Sequence, residues 1–158
     1  MRIDFSTHGQ MNGDEKDKIP FPEELITNEM IPGFDTDGEI EKILKRRGEF
    51  DVNRKNSFGH TPLSTASYTG SVRFVKLLLE LGADVGLKDS DGWTALHFAT
   101  TRKHYEVAKH LMSAGADMKE STSDGQTPLD FVKDKKSRVF LEKFGERCIM
   151  SNMRTSYC

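Results

Sequence analysis

Residues 91–99 read DGWTALHFA, and the main positions of this stretch occur three times along the chain. The glycines are 33 residues apart, and the threonines and leucines that follow them keep the same spacing; the three sets are Gly59, Gly92 and Gly125, then Thr61, Thr94 and Thr127, then Leu63, Leu96 and Leu129. The triplet Gly82-Ala83-Asp84 returns with the same shift as Gly115-Ala116-Asp117. A fixed period of this length is typical of an array of stacked structural repeats, and such arrays usually hold a partner.

Two complete units lie at residues 56–88 and 89–121, and each predicts a turn, a short helix, a loop and a longer helix. In the first unit Thr61 suits the N-cap and Pro62 the first helical position, while Gly70 and Gly82 end the two helices. Residues 21–54 read as a degenerate first unit and residues 122–146 as a capping unit with a charged outer side, so the repeat domain is predicted at 21–146. We expect residues 1–20 to be disordered and residues 147–158 to form a flexible tail.

Composition points away from several classes of protein. The chain has 158 residues, 35% hydrophobic and 30% charged, with a formal net charge of −2, so general attraction to nucleic acid or an anionic membrane is not expected. No apolar run is long enough to span a bilayer, and the first residues do not resemble a signal peptide. The two cysteines, Cys148 and Cys158, are expected to be free thiols. Together these features predict a cytoplasmic or nuclear protein.

The residues of the repeated stretch resemble the ankyrin repeat, well over 56–144 and weakly over 21–54. The resemblance implies an all-α solenoid of about four stacked helix-turn-helix units with turn-rich fingers projecting from one side. Two departures stand out. Lys103 and Lys136 replace the glycine that ends the first helix at Gly70, which predicts differently shaped loops, and the position of His97 is occupied by Ser64 and Asp130 in the flanking units, so a histidine hydrogen bond across the turn is expected only once.

The sequence carries no recognisable catalytic or metal-binding pattern. The five histidines lack metal-ligand spacing, Cys148 lacks the surroundings of a nucleophile, and no glycine-rich phosphate loop is present. The basic stretch from Lys133 to Lys143 lacks the interleaved aromatic residues that stack on bases. We therefore predict no enzyme activity, no cofactor, no metal and no nucleic-acid partner.

The resemblance also implies where a partner protein would bind, which is at the finger tips and along the concave side of the first helices of each unit. The matching positions are Ser57, Phe58, His60, Tyr68, Thr69, Ser90, Asp91, Trp93, Thr101, Arg102, Ser123, Asp124 and Gln126. Phe58, Tyr68 and Trp93 are the strongest candidates because aromatic residues dominate binding energies at interfaces. For Trp93 there is an alternative, which is that it covers its own finger and the next one. The free protein is expected to be a monomer.

Two narrower resemblances lead to specific partners. The segment Lys18-Ile19-Pro20-Phe21 is similar to the short docking peptide that precedes the repeats in ankyrin-bearing regulatory subunits of type-1 protein serine/threonine phosphatase. Such a peptide would add as an extended strand with Ile19 and Phe21 in two pockets, although Pro20 departs from the family motif. The alternative is a hydrophobic lead-in that packs against the first helix. The segments 50–53 and 57–59 are similar to the small Notch-regulated ankyrin proteins, which implies a role in modulating transcription.

Overall fold

The computed structural model describes residues 17–155 and contains short antiparallel helix pairs stacked side by side. In chain order the elements are β1 (Ile19–Pro20), α1 (Glu24–Asn28), α2 (Thr36–Lys45), β2 (Phe50–Asp51), α3 (Pro62–Thr69), α4 (Val72–Glu80), α5 (Ala95–Thr101), α6 (Tyr105–Ser113), a 3-10 helix (Pro128–Phe131) and α7 (Lys135–Thr155). The predicted all-α repeat solenoid is confirmed. In the last unit a single 3-10 turn replaces the first helix, because the backbone at Val132 is already extended.

The first helices of the units form one row and the second helices another. In the first row α1 contacts α3, α3 contacts α5, and α5 contacts the 3-10 helix; in the second row α4 contacts α6, and α6 contacts α7. The seams of the first row are filled by Leu63 and Leu96, each 1% exposed, beside Ala66 and Ala99, which are fully buried. The small alanines let neighbouring helices approach, and the leucines remove apolar surface from water.

Three turn-rich fingers, at residues 53–60, 86–93 and 119–126, connect the units and project from the stack. In the second finger Gly92 has φ +81°, and a Cβ there would lie 2.9 Å from the backbone nitrogen of Ser123 in the third finger. Only glycine fits both the left-handed backbone and this close approach. The three repeated glycines share the left-handed backbone, at φ +80°, +81° and +78°, whereas the close approach between fingers is found at Gly92.

The loop after α5 corrects one expectation from the sequence. Lys103 has φ +61°, close to the φ +82° of Gly70 at the matching place after α3, so this loop keeps the same left-handed shape without glycine. His104 fills the space beside Gly70, where an added Cβ would lie 2.6 Å from the imidazole ring. Lys136, by contrast, lies inside α7, and its loop does differ as predicted.

The N-terminal boundary also differs from the prediction. Residues 17–20 are ordered: the N–H of Ile19 donates to the carbonyl of Glu49 at 2.9 Å, and β1 pairs in parallel with β2 in the register Ile19 with Phe50. Phe21, 4% exposed, then enters the core. The rest of the segment predicted to be disordered, residues 1–16, lies outside the described residues.

The C-terminal tail predicted to be flexible from residue 147 is helical as far as Thr155, because α7 continues past that boundary. The face of α7 that packs on the stack contains Leu141, 1% exposed, and the partly buried Phe144 and Cys148. Gly145 completes this face by leaving room for the side chain of Met118, which would overlap an added Cβ. Because Gly145 and Cys148 occupy two positions of this face, the sequence does not show a clear apolar periodicity here. Residues 156–158 lie outside the described residues.

Candidate partner-binding face

A continuous chain of aromatic rings crosses three units on the side of the first helices. The distances between ring centroids are 6.3 Å from Phe58 to His60, 5.2 Å from His60 to Phe98, 6.2 Å from Tyr68 to Phe98, 5.2 Å from Trp93 to Phe98, and 4.9 Å from Trp93 to Phe131. Each distance lies within the range in which aromatic rings attract one another. We call these six residues, together with Arg102, the aromatic face.

Phe98 lies at the centre of the aromatic face because of its place on α5. Its ring contacts His60 of the first finger and Trp93 of the second, so it lies on the side of the fingers, while the next residue, Ala99, is buried in the seam between units. Phe131 has the matching position in the last unit, 33 residues further on. Phe98 thus contacts a ring from the first finger, a ring from α3 and a ring from the second finger.

Trp93 has a structural role as well as partial exposure. It precedes the N-cap Thr94 and packs against Phe98 in the first turns of its own helix, an arrangement known as a hydrophobic staple. It also contacts Phe131 in the next unit. The rings that Trp93 contacts lie on α5 and the 3-10 helix rather than in the next finger, and its half-buried ring forms part of the face.

Phe58 and Tyr68 are the rings of the aromatic face most open to solvent. Phe58 is 76% exposed and Tyr68 is 48% exposed. The guanidinium of Arg102 lies 4.6 Å from the centre of the Tyr68 ring, which is a cation–π arrangement. No carboxylate within residues 17–155 forms an ion pair with Arg102, so its charge is available to a ligand.

His60 is anchored at the base of the first finger. Its Nε2 lies 3.6 Å from Oδ2 of Asp89, a carboxylate that is only 7% exposed. Oδ1 of Asp89 accepts the N–H groups of Asp91 at 3.0 Å and Trp93 at 2.8 Å. One carboxylate therefore shapes the second finger and lies beside the imidazole of the first.

The remaining predicted contact residues contribute no ring to the aromatic face. Five of them are exposed and take part in none of the ring contacts: Ser90, Asp91, Thr101, Asp124 and Gln126. The carbonyl of Asp91 accepts the N–H of Ser123 at 2.9 Å, which joins the second and third fingers. Ser90, Asp91, Asp124 and Gln126 thus form a polar rim on the second and third fingers, whereas Thr101 is the last residue of α5.

His97 is buried beneath this surface and connects two units. Its Nδ1 accepts the N–H of Thr94 at 3.1 Å, and its Nε2 lies 3.1 Å from the carbonyl of Gln126 in the third finger. The network assigns the neutral tautomer with the proton on Nε2, which donates to Gln126. Burial lowers the pKa of His97; the carbonyl of Gln126 opposes the shift, and the charge of Lys88 adds to it. The bond to Thr94 is not unique, however, because Ser64 and Asp130 accept the N–H of Thr61 and Thr127 in the same way.

The predicted docking peptide is built into the fold. Lys18 is half-buried and Ile19 is 42% exposed, but Phe21 is only 4% exposed. The ring of Phe21 meets Phe50 at 6.0 Å and Phe74 at 6.4 Å, edge to face in both contacts. A pocket on another protein cannot take Phe21 while it occupies the core, so the segment behaves as the hydrophobic lead-in.

Reading of the sequence missed Phe98 and Phe131 as members of the face. A signal was available, since both are phenylalanines at the same place of the 33-residue period and directly precede the buried Ala99 and Val132. The matching residue in the first full unit is Thr65. The identity of the residue changes between units, which obscures the pattern.

The part of the chain that the structure describes shows no features of a metal site or a membrane-spanning helix, and its buried polar side chains are all partnered. Within residues 17–155 no group of three or more His, Cys, Asp or Glu side chains is placed to hold a metal ion. Within residues 17–151, whose side chains the structure describes, every buried side-chain nitrogen or oxygen has a hydrogen-bond partner. No helix there combines the length and the apolar content that crossing a bilayer requires.

Comparison with known proteins agrees with this architecture. A family model described as ankyrin repeats in three copies matches residues 34–122, and the chain belongs to the ankyrin-repeat family. It is also similar to ankyrin repeat and SAM domain-containing protein 3 from Homo sapiens, with 41% identity over 76 residues. That match covers 48% of this chain but only 10% of the human protein, so the chain spans about a tenth of the length of this relative.

Proposed function

We propose that this protein is a non-catalytic adaptor that holds another protein against the aromatic face. Ankyrin repeats are modules for protein–protein interaction, and the observation that carries the proposal is the chain of rings that joins three units. Its middle, at Trp93 and Phe98, is packed, while Phe58 and Tyr68 present apolar surface to solvent. A partly fixed, partly open aromatic surface is what a binding hot spot requires.

The fixed middle of the face favours affinity. Because Phe98 is held by rings from three sides, little side-chain freedom is left to lose when a partner docks. Arg102 adds electrostatic specificity to the interaction, because it stacks on Tyr68 and has no ion-pair partner among the described residues. The partner surface that fits best is an apolar side chain next to a carboxylate.

The adaptor is proposed to act without a cofactor, as a monomer when free, in the cytoplasm or the nucleus. The aromatic face suits a protein partner better than a nucleic acid because its rings pack against each other rather than standing apart to receive bases. The exposed Ser90, Asp91, Asp124 and Gln126 would contribute a polar rim to the same interface.

The phosphatase-subunit and Notch-related alternatives are not favoured by any contact described above. A phosphatase that bound through Lys18–Phe21 would have to extract Phe21 from between Phe50 and Phe74. The human relative is named for ankyrin repeats and a SAM domain only. Both alternatives stay predictions from the sequence.

The test begins with affinity purification of the full chain from cells and identification of bound proteins by mass spectrometry. The candidate partner is then purified, and its Kd is measured by calorimetry against wild type, Phe58→Ala and Tyr68→Ala. Each substitution is expected to weaken binding by roughly tenfold or more, because it truncates an exposed aromatic anchor. Met30→Ala is the matched control, since Met30 is 76% exposed, as is Phe58, but lies after α1.

Circular dichroism first establishes that all variants remain folded. Unchanged affinity in both Phe58→Ala and Tyr68→Ala would remove the aromatic face from the binding site. An equal loss of affinity in Met30→Ala would show that the effect is not specific to the face.

A further inference from the structure

Three serines occupy the same place in the three fingers. Ser57, Ser90 and Ser123 are 33 residues apart and all exposed. Each lies in a turn closed by two backbone hydrogen bonds. The glycine two residues later donates the inner bond, at 2.9 Å in the first finger, 3.2 Å in the second and 2.9 Å in the third, and the outer bond is 2.9 Å long in all three. No hydroxyl of the three makes a hydrogen bond within residues 17–155. Their local structure is therefore closely similar, and what differs is the residues around them.

Of these three serines, only Ser57 follows a pair of cations. Arg54 and Lys55 stand three and two residues before it, both exposed, and neither forms an ion pair with a carboxylate among the described residues. The ammonium of Lys55 donates to the backbone carbonyl of Lys88 at 2.6 Å, which leaves its charge unneutralised. The residue after Ser57 is Phe58, 76% exposed.

The other two serines have the opposite surroundings. Ser90 lies between Asp89 and Asp91, and Ser123 is followed by Asp124 with Glu120 three residues before it. A protein kinase with an acidic peptide-binding cleft would attract the basic segment at Ser57 and repel the acidic segments at Ser90 and Ser123. Charge patterns of this kind set the choice of substrate by kinases.

We propose that Ser57 is a phosphorylation site for a protein kinase with an acidic peptide cleft and an apolar pocket for the following residue. In the reaction Oγ of Ser57 attacks the γ-phosphorus of ATP, and the bond from that phosphorus to the β,γ-bridging oxygen breaks. ADP leaves, and the proton of the hydroxyl passes to the general base of the kinase. Arg54 and Lys55 occupy the acidic cleft, and Phe58 enters the apolar pocket.

The finger can present this segment by opening its own turn, without disturbing the core. Residues 54–56 belong to no helix or strand, and Ser57 and Phe58 have no buried side chain to extract. The contacts that must open are those of Asn56. Its Oδ1 accepts the N–H of Phe58 at 3.0 Å and that of His60 at 3.1 Å, its carbonyl accepts the N–H of Gly59 at 2.9 Å, and its N–H donates to the carbonyl of His60 at 2.9 Å. The core at Leu63 and Ala66 is not disturbed.

Modification of Ser57 would regulate the aromatic face, and this part of the inference rests on the proposed function. A phosphate carries about −1.5 to −2 charges at pH 7. It would lie next to Phe58, at the open end of the ring chain, where an apolar partner surface with a carboxylate is proposed to dock. Repulsion and the cost of desolvating the phosphate would then weaken binding.

The experiment incubates the purified full chain with MgATP and the catalytic subunit of cAMP-dependent protein kinase, a kinase directed to basic segments. Fragment-ion mass spectrometry then locates the phosphate, and Ser90 and Ser123 act as internal controls in the same kind of turn. We expect Ser57 to be modified at least roughly tenfold faster than either of them. Arg54→Ala should slow the reaction about tenfold or more, while Lys119→Ala, which removes an exposed cation near the third finger, should not.

Equal labelling of the three serines, absence of label at Ser57, or indifference to Arg54→Ala would each overturn the proposed site. A second arm compares phosphorylated and unmodified protein for the Kd of the partner identified above, with a loss of roughly tenfold expected. If Ser57 is modified but the Kd is unchanged, the site stands and the regulatory step is overturned. A failure of the aromatic face itself would appear separately, as unchanged binding in Tyr68→Ala.

Discussion

Ser64, His97 and Asp130 occupy one position, the third residue of the first helix in their units, and do the same local task with different chemistry. Each side chain accepts the N–H of the N-cap threonine, which satisfies a backbone donor that the helix cannot. Only His97 carries a second polar atom that reaches the next unit, through Nε2 to the carbonyl of Gln126 at 3.1 Å. At His97, therefore, the residue that forms the helix cap also links two units.

This double role makes His97 a source of pH dependence. Burial lowers its pKa in the folded protein below the ordinary value of 6.5, so the unfolded chain binds the proton more readily. Stability is therefore fully present above about pH 6.5 and is lost as the pH falls from there toward the lowered pKa of the folded state. Protonation at Nδ1 would also replace the acceptor that Thr94 uses with a donor.

We predict that wild type loses free energy of unfolding between pH 7.5 and pH 5 and that His97→Ser loses less over the same range. Serine is the matched replacement because Ser64 already forms this cap in the preceding unit. The variant should be less stable at pH 7.5 by roughly 1–2 kcal/mol, since it lacks the bond to Gln126. Urea titrations at four pH values measure both quantities. The other histidines are present in both proteins, so their contribution to the pH dependence is the same in each and cancels in the comparison. Parallel pH profiles for the two proteins would show that His97 is not the titrating group.

The elements differ in how far the sequence alone could predict them. Helices α3 and α5 agree with the prediction because Leu63 and Ala66 recur as Leu96 and Ala99 with the period of the array. Helices α4 and α6 agree because each ends just before a copy of the repeated Gly-Ala-Asp triplet. Strand β1 was missed because its two residues are stabilised by β2, which lies about thirty residues away in the chain. Pairing with a distant segment leaves no local pattern to read.

The aromatic face, too, could be predicted from the sequence only in part. Phe58, Tyr68 and Trp93 could be named from a family resemblance and from their aromatic character. That they converge on Phe98 depends on how the first finger, α3 and the second finger stack, which is tertiary information. The burial of Phe21 depends likewise on Phe74 of α4, more than fifty residues further along the chain.

The segment that contains β1 provides a direct test of its structural role. Phe21→Ala should lower the free energy of unfolding by about 3–5 kcal/mol, because it leaves a cavity between Phe50 and Phe74. Ile19→Ala, two residues earlier in the same segment and 42% exposed, should change it by less than about 0.5 kcal/mol. Thermal melts of the two variants measure the difference. Equal melting temperatures would mean that Phe21 is not part of the core and would reopen the docking-peptide hypothesis.

Across the whole stack, the same contacts recur from unit to unit. The ammonium of Lys55 donates to the carbonyl of Lys88 at 2.6 Å, and that of Lys88 donates to the carbonyl of Ser121 at 3.2 Å. Both bonds join residues 33 apart, so adjacent fingers are linked by the same kind of bond. The aromatic face spans units joined in this way, which explains how short helices can present one continuous surface.

In such an array stability is the sum of each unit and its interfaces with its neighbours. The consequence of a cavity therefore depends on where in the stack it is made. Leu96 and Leu141 are each 1% exposed, but Leu96 lies on α5, which contacts both α3 and the 3-10 helix, whereas Leu141 lies on α7 at the end of the second row. They form a matched pair with equal burial and different position.

We predict that Leu96→Ala and Leu141→Ala each cost about 2–5 kcal/mol locally but unfold the molecule differently. Amide hydrogen exchange should show Leu141→Ala lowering protection in α7 and the adjacent α6 while α3 and α4 keep theirs, because an end unit can open alone. Leu96→Ala should lower protection in α3 through α6 together, because it weakens the interfaces on both sides of α5. Urea unfolding should accordingly broaden for Leu141→Ala and shift as one transition for Leu96→Ala. Indistinguishable exchange patterns in the two variants would mean that the units unfold as a single body, and additive coupling between neighbours would then be the wrong description of this stack.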